Sequence, residues 1–146
     1  MRAVIQRVLK ASVKIDEKTV GQIDKGLLVY LGVEKNDSPD CVNYIAAKIA
    51  ELRIFEDENG KMNRSVKDIN GAVLIVSNFT LCGNCSKGRR PGFDNAAEPV
   101  LAEQLYQQTV KAVENHGLNV QTGVFQEHME IQSINDGPIN FIIESN

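Results

Sequence analysis

The sequence predicts an α+β fold: a small, curved, barrel-like and mainly antiparallel sheet with two main helices. Three observations carry this. Short strand-like segments crowd both ends of the chain, and two stretches between them have helical periodicity. The two kinds of element do not alternate in the regular βαβα order that a doubly wound sheet requires. With 146 residues, 42% hydrophobic and 24% charged, the chain is sized and composed for one globular domain, residues 1–146.

Taken in order, Val4 to Val8 and Ala11 to Ile15 alternate apolar with polar residues, as half-buried strands do. Asp16-Glu17-Lys18 is a polar turn and Thr19 to Ile23 a hairpin return. The apolar run Gly26 to Val33 reads as a strand buried on both faces. Ser38-Pro39-Asp40 signals a helix start, and Val42, Ile45, Ala46, Ile49 and Leu52 place one apolar face along Pro39 to Leu52. Arg53-Ile54-Phe55 is a short strand closed by a turn at Asp57-Glu58-Asn59-Gly60. Ala72 to Leu81 is a second buried strand, and Cys82 to Asn95 a long loop without periodicity. Pro99 opens the second helix, with Leu101, Leu105, Tyr106, Val110 and Val113 on its apolar side and Gly117 as its stop. Val120 to Phe125, Met129 to Ile134 and Ile139 to Ile143 are closing strands.

Composition excludes several functions. A formal charge of −3 excludes nucleic-acid binding by global positive charge, though not by a local basic patch. No apolar run approaches the length of a membrane span, and Met1 to Gln6 lacks a signal-peptide core, so no membrane association and a cytoplasmic location are expected. Three cysteines, an odd number, suggest no disulfide framework. Cys82-Gly83-Asn84-Cys85 is a CxxC, but it follows a strand and enters a loop instead of opening a helix, which argues against a redox role. It also lacks the second pair that a zinc site needs. His116 at the end of the second helix suits the helix dipole, and His128 reads as a surface residue.

Two segments carry candidate chemistry. Ser77-Asn78-Phe79-Thr80-Leu81 puts polar groups and an aromatic where a buried strand runs into a long loop, a common place for catalytic groups. The Thr80 hydroxyl has no base near it in sequence to make it a nucleophile, whereas backbone N–H groups there could stabilise an oxyanion. Asn135-Asp136-Gly137-Pro138-Ile139-Asn140 reads as a turn between two strands. Its Gly-Pro bond is also one that tolerates the cis form, which would point successive carbonyls the same way. A third cluster, Lys87-Gly88-Arg89-Arg90-Pro91, would make a phosphate-binding patch if the fold set it beside Arg2, Arg7, Lys10 and Lys14.

These segments, in this order and spacing, resemble the D-aminoacyl-tRNA deacylases, also called D-tyrosyl-tRNA deacylases. Gln6-Arg7-Val8 with Ala11-Ser12-Val13 is similar to the family's N-terminal signature, followed by Gly26 to Val33, Arg53-Ile54-Phe55 and Gly60-Lys61-Met62-Asn63. Ser77-Asn78-Phe79-Thr80-Leu81 resembles the Ser-Gln-Phe-Thr-Leu motif, and Arg90-Pro91 with Phe93 the loop after it. Thr122-Gly123 with Phe125 and Met129 is similar to the next block, and Asn135-Asp136-Gly137-Pro138 to the closing Asn-x-Gly-Pro motif. Three positions depart from the pattern: Asn78 stands for Gln, Asn140 for Thr, and Gln126-Glu127 for small residues.

The resemblance implies a homodimer that hydrolyses the ester joining a D-amino acid, or misplaced glycine, to the terminal adenosine of tRNA. It assigns Thr80 and Asn78 to catalysis and places Ser77, Phe79, Gln6 and Met129 against the substrate. Phe79 would stack on the adenine. Gly137 and Pro138, as a cis dipeptide held by Arg7, would enter the partner subunit's site, hold the substrate amino group by carbonyl oxygens and exclude L-amino acids. Either the Thr80 hydroxyl or the ribose 2′-OH with the Thr80 N–H would serve the reaction; the lack of a base beside Thr80 favours the second. No metal or organic cofactor is implied. The competing expectation is a tRNA-binding dimer of the same fold without turnover.

Overall fold

The computed structural model describes residues 1–145. Its chain runs β1 (Arg2–Ile15), β2 (Lys18–Ile23), β3 (Gly26–Gly32), α1 (Pro39–Glu51), β4 (Phe55–Glu56), β5 (Met62–Arg64) and β6 (Ala72–Ser77). A 3₁₀ turn (Phe79–Cys82) follows, then α2 (Pro99–Asn115), β7 (Asn119–Thr122) and β8 (Glu130–Glu144). Strand β1 organises the six-stranded sheet. One of its edges pairs antiparallel with β3 along Arg2 to Val8 and with β2 along Ala11 to Ile15; its other edge pairs antiparallel with β8. Strands β3, β6 and β7 run parallel, so the sheet is mixed, with its antiparallel pairs centred on β1.

The parallel pairs arise because α1 and α2 are crossovers between β3 and β6 and between β6 and β7, which short hairpins cannot replace. The sheet curls until β2 reaches β7. At the meeting point a Cβ on Gly21 would lie 2.4 Å from the Thr122 carbonyl oxygen, so only glycine permits the approach.

Alternation along the central strands builds two layers of core. Leu27, Val29 and Leu31 with Val73 and Ile75 face the helices, where Ile45, Ile49, Leu105 and Val113 cover them. Leu28, Leu74 and Val76 point the other way and meet Val8, Val13 and Ile23 inside the curl. The expectation of strands buried on both faces holds for β3 and β6. Each such Leu, Ile or Val contributes about 1.5–3 kcal/mol, so this double-sided core holds the sheet's curvature.

Four local expectations change. Ser38 precedes α1 in extended conformation but its hydroxyl makes no cap bond; it lies 3.8 Å from Cys41 Sγ instead, and Pro39 sets the start. The strand expected over Ala72 to Leu81 ends at Ser77, because the Asn78 side chain accepts from the Thr80 N–H and turns the chain into the 3₁₀ turn. The expected strand at Arg53 to Phe55 starts only at Phe55 and pairs with Met62–Arg64. The two last closing strands are one, β8, and the expected turn between them is an excursion within it.

Candidate active site

Strand β6 delivers Ser77, Asn78, Phe79 and Thr80 to the rim of a cavity of about 880 Å³. Tyr30 from β3, Ala96 and Ala97 before α2, and the segment Phe125 to Met129 complete its wall. Asn78 Oδ1 accepts from the Thr80 backbone N–H at 3.1 Å and from the Thr80 hydroxyl at 2.6 Å. The hydroxyl therefore donates to an amide oxygen, which cannot take its proton, and the Thr80 N–H is already engaged. The Phe79 N–H, one residue earlier, has no acceptor among the described residues. Phe79 is 59% exposed, its ring tilted against Phe93 at a centroid distance of 4.9 Å. An aromatic left this open at a cavity rim is suited to stacking on a flat heterocycle.

Behind the cavity, Tyr106 of α2 donates from its hydroxyl to the Ile75 carbonyl at 2.9 Å and packs near Phe125. Burial pushes its pKa up to about 12. Gln126 adopts φ +64, a left-handed conformation that favours glycine, at the turn carrying Glu127 and His128 into the wall. The sequence marks neither Tyr30 nor the alanines as part of a site. Tyr30 is hidden inside an apolar run, and no local pattern distinguishes small residues that line a cavity.

Gln6, Arg7, Gly137 and Pro138 are not part of this wall; they form a second group on β1 and β8. Gln6 pairs with Asn140 and Val8 with Asn135, so a single residue of β1, Arg7, faces the four residues Asp136 to Ile139. The surplus projects from the sheet edge as a loop in which the Gly137-Pro138 peptide is cis and Gly137 has φ +132. Side-chain amides staple its base. Gln6 Nε2 donates to Asn140 Oδ1 at 2.9 Å, Asn140 Nδ2 to Asn135 Oδ1 at 3.3 Å, and Asn135 Nδ2 to the Arg7 carbonyl at 2.9 Å. Arg7 itself is buried over Phe55, donates to the Ile54 carbonyl at 2.8 Å and places Nε 3.0 Å from Asp136 Oδ2.

The basic residues do not merge into one patch. Arg2 pairs with Glu34 and Glu144 and donates to the Leu81 carbonyl, while Arg7 is interior. Lys10 and Lys14 line a separate polar groove with Ser12, Gln22 and Gln132, and its wall includes no residue of the Lys87–Arg90 loop. The cysteines are free. Cys82 is buried, its thiol pushed up by that burial and donating to the Val33 carbonyl at 3.4 Å, while Cys85 is exposed. A buried, protonated thiol is no redox nucleophile. Among the described residues no cluster of three or more His, Cys, Asp or Glu could hold a metal ion, and no helix is long and apolar enough to cross a membrane.

A curled α+β sheet whose strand end sets a free backbone N–H beside an open aromatic at a cavity rim can take up a flat heterocycle and the carbonyl oxygen of an ester. The family model described as D-Tyr-tRNA(Tyr) deacylase matches residues 4–144, and the chain belongs to that family. It is 54% identical over 145 residues to the D-aminoacyl-tRNA deacylases of Thermosipho africanus and Clostridioides difficile, covering 99% of this chain and 97% of each relative. It is 56% identical to that of Geotalea uraniireducens, of which 94% is covered. Among solved structures it is similar to the c-Myc DNA Unwinding Element Binding Protein, with TM-score 0.94 and 35% identity over 100% of this chain and 99% of that one. A probable eukaryotic D-amino acid tRNA deacylase shares the fold, at TM-score 0.85 and 16% identity over 97% of both chains. The chain is thus a D-aminoacyl-tRNA deacylase, an enzyme that hydrolyses a carboxylic ester.

Proposed function

We propose that the enzyme removes D-amino acids and mischarged glycine from tRNA as chiral proofreading in the cytoplasm, with L-aminoacyl-tRNA turned away by the Gly137-Pro138 loop. The observation that carries this is the gathering of Ser77, Asn78, Phe79, Thr80 and Met129 around one cavity. The terminal adenine stacks on Phe79, and the ester carbonyl lies toward the backbone N–H groups of Phe79 and Thr80. Water adds to the acyl carbon, the bond to the ribose oxygen breaks, and that oxygen leaves with a proton.

In this reading Asn78 orients the turn and Thr80 acts through its backbone. The ribose 2′-OH supplies the polar group that the protein lacks beside the ester. The Thr80 N–H joins the Phe79 N–H only once the Asn78 amide rotates away from it.

Gly137 and Pro138 are not part of their own chain's cavity wall, so in our reading the loop serves the cavity of a second copy in a homodimer. The β8 surface supports such a contact: Ile142 is 73% exposed there, with Ile134 and Phe141 also open. Carbonyl oxygens of Gly137 and Pro138 receive the substrate amino group, and an L side chain would strike that backbone. Steric exclusion of this kind rejects L-amino acids without reading the side chain, so one site serves many D-amino acids and glycine.

The test is release of amino acid from matched D-tyrosyl-tRNA and L-tyrosyl-tRNA by the purified protein with EDTA present. Rapid loss of the D ester alone is expected. Equal cleavage of both removes the chiral assignment, and binding of tRNA without cleavage makes the protein a tRNA-binding dimer.

A further inference from the structure

The loop between the 3₁₀ turn and α2 is attached to the cavity at both ends. It leaves the wall just after Thr80 and returns at Ala96 and Ala97, both of which line the cavity. Its base is tied down. Asn84 and Gly92 exchange backbone hydrogen bonds at 2.7 and 2.9 Å, Lys35 N–H donates to the Asn95 carbonyl at 3.0 Å, and Ala97 N–H to the Val33 carbonyl at 3.0 Å. Phe93 packs on Phe79. What lies between, Cys85 to Pro91, is an exposed tip carrying Lys87, Arg89 and Arg90.

None of these three cations makes an ion pair among the described residues, although the chain as a whole has a net charge of −3. At the loop base the Asp94 carboxylate lies beside Gly92, and Glu34, which bridges to Ala96, is engaged by Arg2. The cavity wall itself carries Glu127 and no Lys or Arg. Positive charge is therefore absent from the cavity and concentrated on a tip pinned to its rim.

We propose that Lys87, Arg89 and Arg90 form a phosphate grip for the single-stranded 3′ end of the tRNA, holding the nucleotides that precede the terminal adenosine. The proposal rests on reading the cavity as the site of that adenosine. An adenosine seated on Phe79 must leave through the rim with a negative phosphate for every preceding nucleotide. Arg forks and a Lys ammonium recognise phosphate whatever the base, so the grip adds affinity for any tRNA.

The experiment compares two substrates, D-tyrosyl-tRNA and 3′-O-(D-tyrosyl)adenosine, which has no phosphate, with wild type and a Lys87→Ala, Arg89→Ala, Arg90→Ala variant. The variant should raise KM for the tRNA about tenfold at low salt and leave kcat within about twofold, as expected when phosphate binding is weakened. The plot of log kcat/KM against log salt should become shallower by about 0.7 for each phosphate no longer neutralised. Hydrolysis of the adenosine ester should be unchanged, which also shows the variant is folded. Equal losses on both substrates, or no loss on the tRNA, overturn the grip. A wild type that hydrolyses neither ester removes the reading of the cavity and the grip with it.

Discussion

The guanidinium of Arg7, whose side chain is 7% exposed, sits 3.0 Å from the carboxylate of Asp136 at the base of the Gly137-Pro138 loop. It also donates to the Ile54 carbonyl and lies over the Phe55 ring, so one side chain joins the loop to the strand pair below α1. Replacing it by Met keeps the volume but leaves the Ile54 carbonyl without a donor and Asp136 without its cation. Arg7→Met should lower stability by about 2–4 kcal/mol in urea unfolding. It should also reduce D-tyrosyl-tRNA hydrolysis at temperatures where the variant is folded. An unfolding midpoint like that of wild type would mean the pair does not hold the loop.

Asn78 caps the 3₁₀ turn by accepting from both the N–H and the hydroxyl of Thr80. Asn78→Ala should lose about 1 kcal/mol, the usual cost of an N-cap, together with a fall in kcat, because the uncapped turn no longer fixes the aim of the Phe79 N–H even though the Thr80 N–H is released. Thr80→Val, which keeps the backbone and removes the hydroxyl, should retain activity within about tenfold, the scale of a modest positioning loss. A folded Thr80→Val protein slowed by about a thousandfold or more would make the hydroxyl a participant in the chemistry.

What the sequence disclosed and what it hid divide along local and non-local lines. Val42, Ile45 and Ile49 announce α1 because a helix's face is written in its own spacing. The double burial of Leu27 to Leu31 is legible for the same reason. By contrast, that β3 and β6 pair in parallel depends on where a crossover lands, which no single segment records. The expected turn at Asn135 to Pro138 is an excursion because Gln6 and Val8, more than 120 residues earlier, fix the strand on either side of it. Ser77 to Thr80 stand out locally, as polar groups and an aromatic where a buried strand gives way to a long loop. The cavity they line does not, since Tyr30, Ala96 and Gln126 to His128 arrive from three other parts of the chain.

Gln126 holds φ +64 at the cavity wall, where a Cβ is disfavoured. Gln126→Gly should raise stability by about 0.5–1 kcal/mol, the relief of a left-handed residue less the greater freedom of glycine in the unfolded chain. Thermal unfolding measures this. A decrease would show that the packing of the Gln126 side chain outweighs the backbone relief.

Alkaline pH should expose the weight of Tyr106. Its pKa is pushed up to about 12 by burial, against 10.0 for an unperturbed tyrosine. Between those values the unfolded chain has lost the phenolic proton while the folded chain keeps it. Stability therefore falls as pH rises from about 10, by roughly 1.4 kcal/mol for each pH unit contributed by this group, and levels off near the folded value. Tyr106→Phe removes the titration along with the hydrogen bond to the Ile75 carbonyl. The variant should begin less stable at neutral pH by about 1 kcal/mol, yet lose stability more slowly above pH 10. Urea unfolding from pH 8 to 11 gives both slopes. Parallel curves would place the alkaline loss on other groups and leave Tyr106 with its hydrogen bond alone.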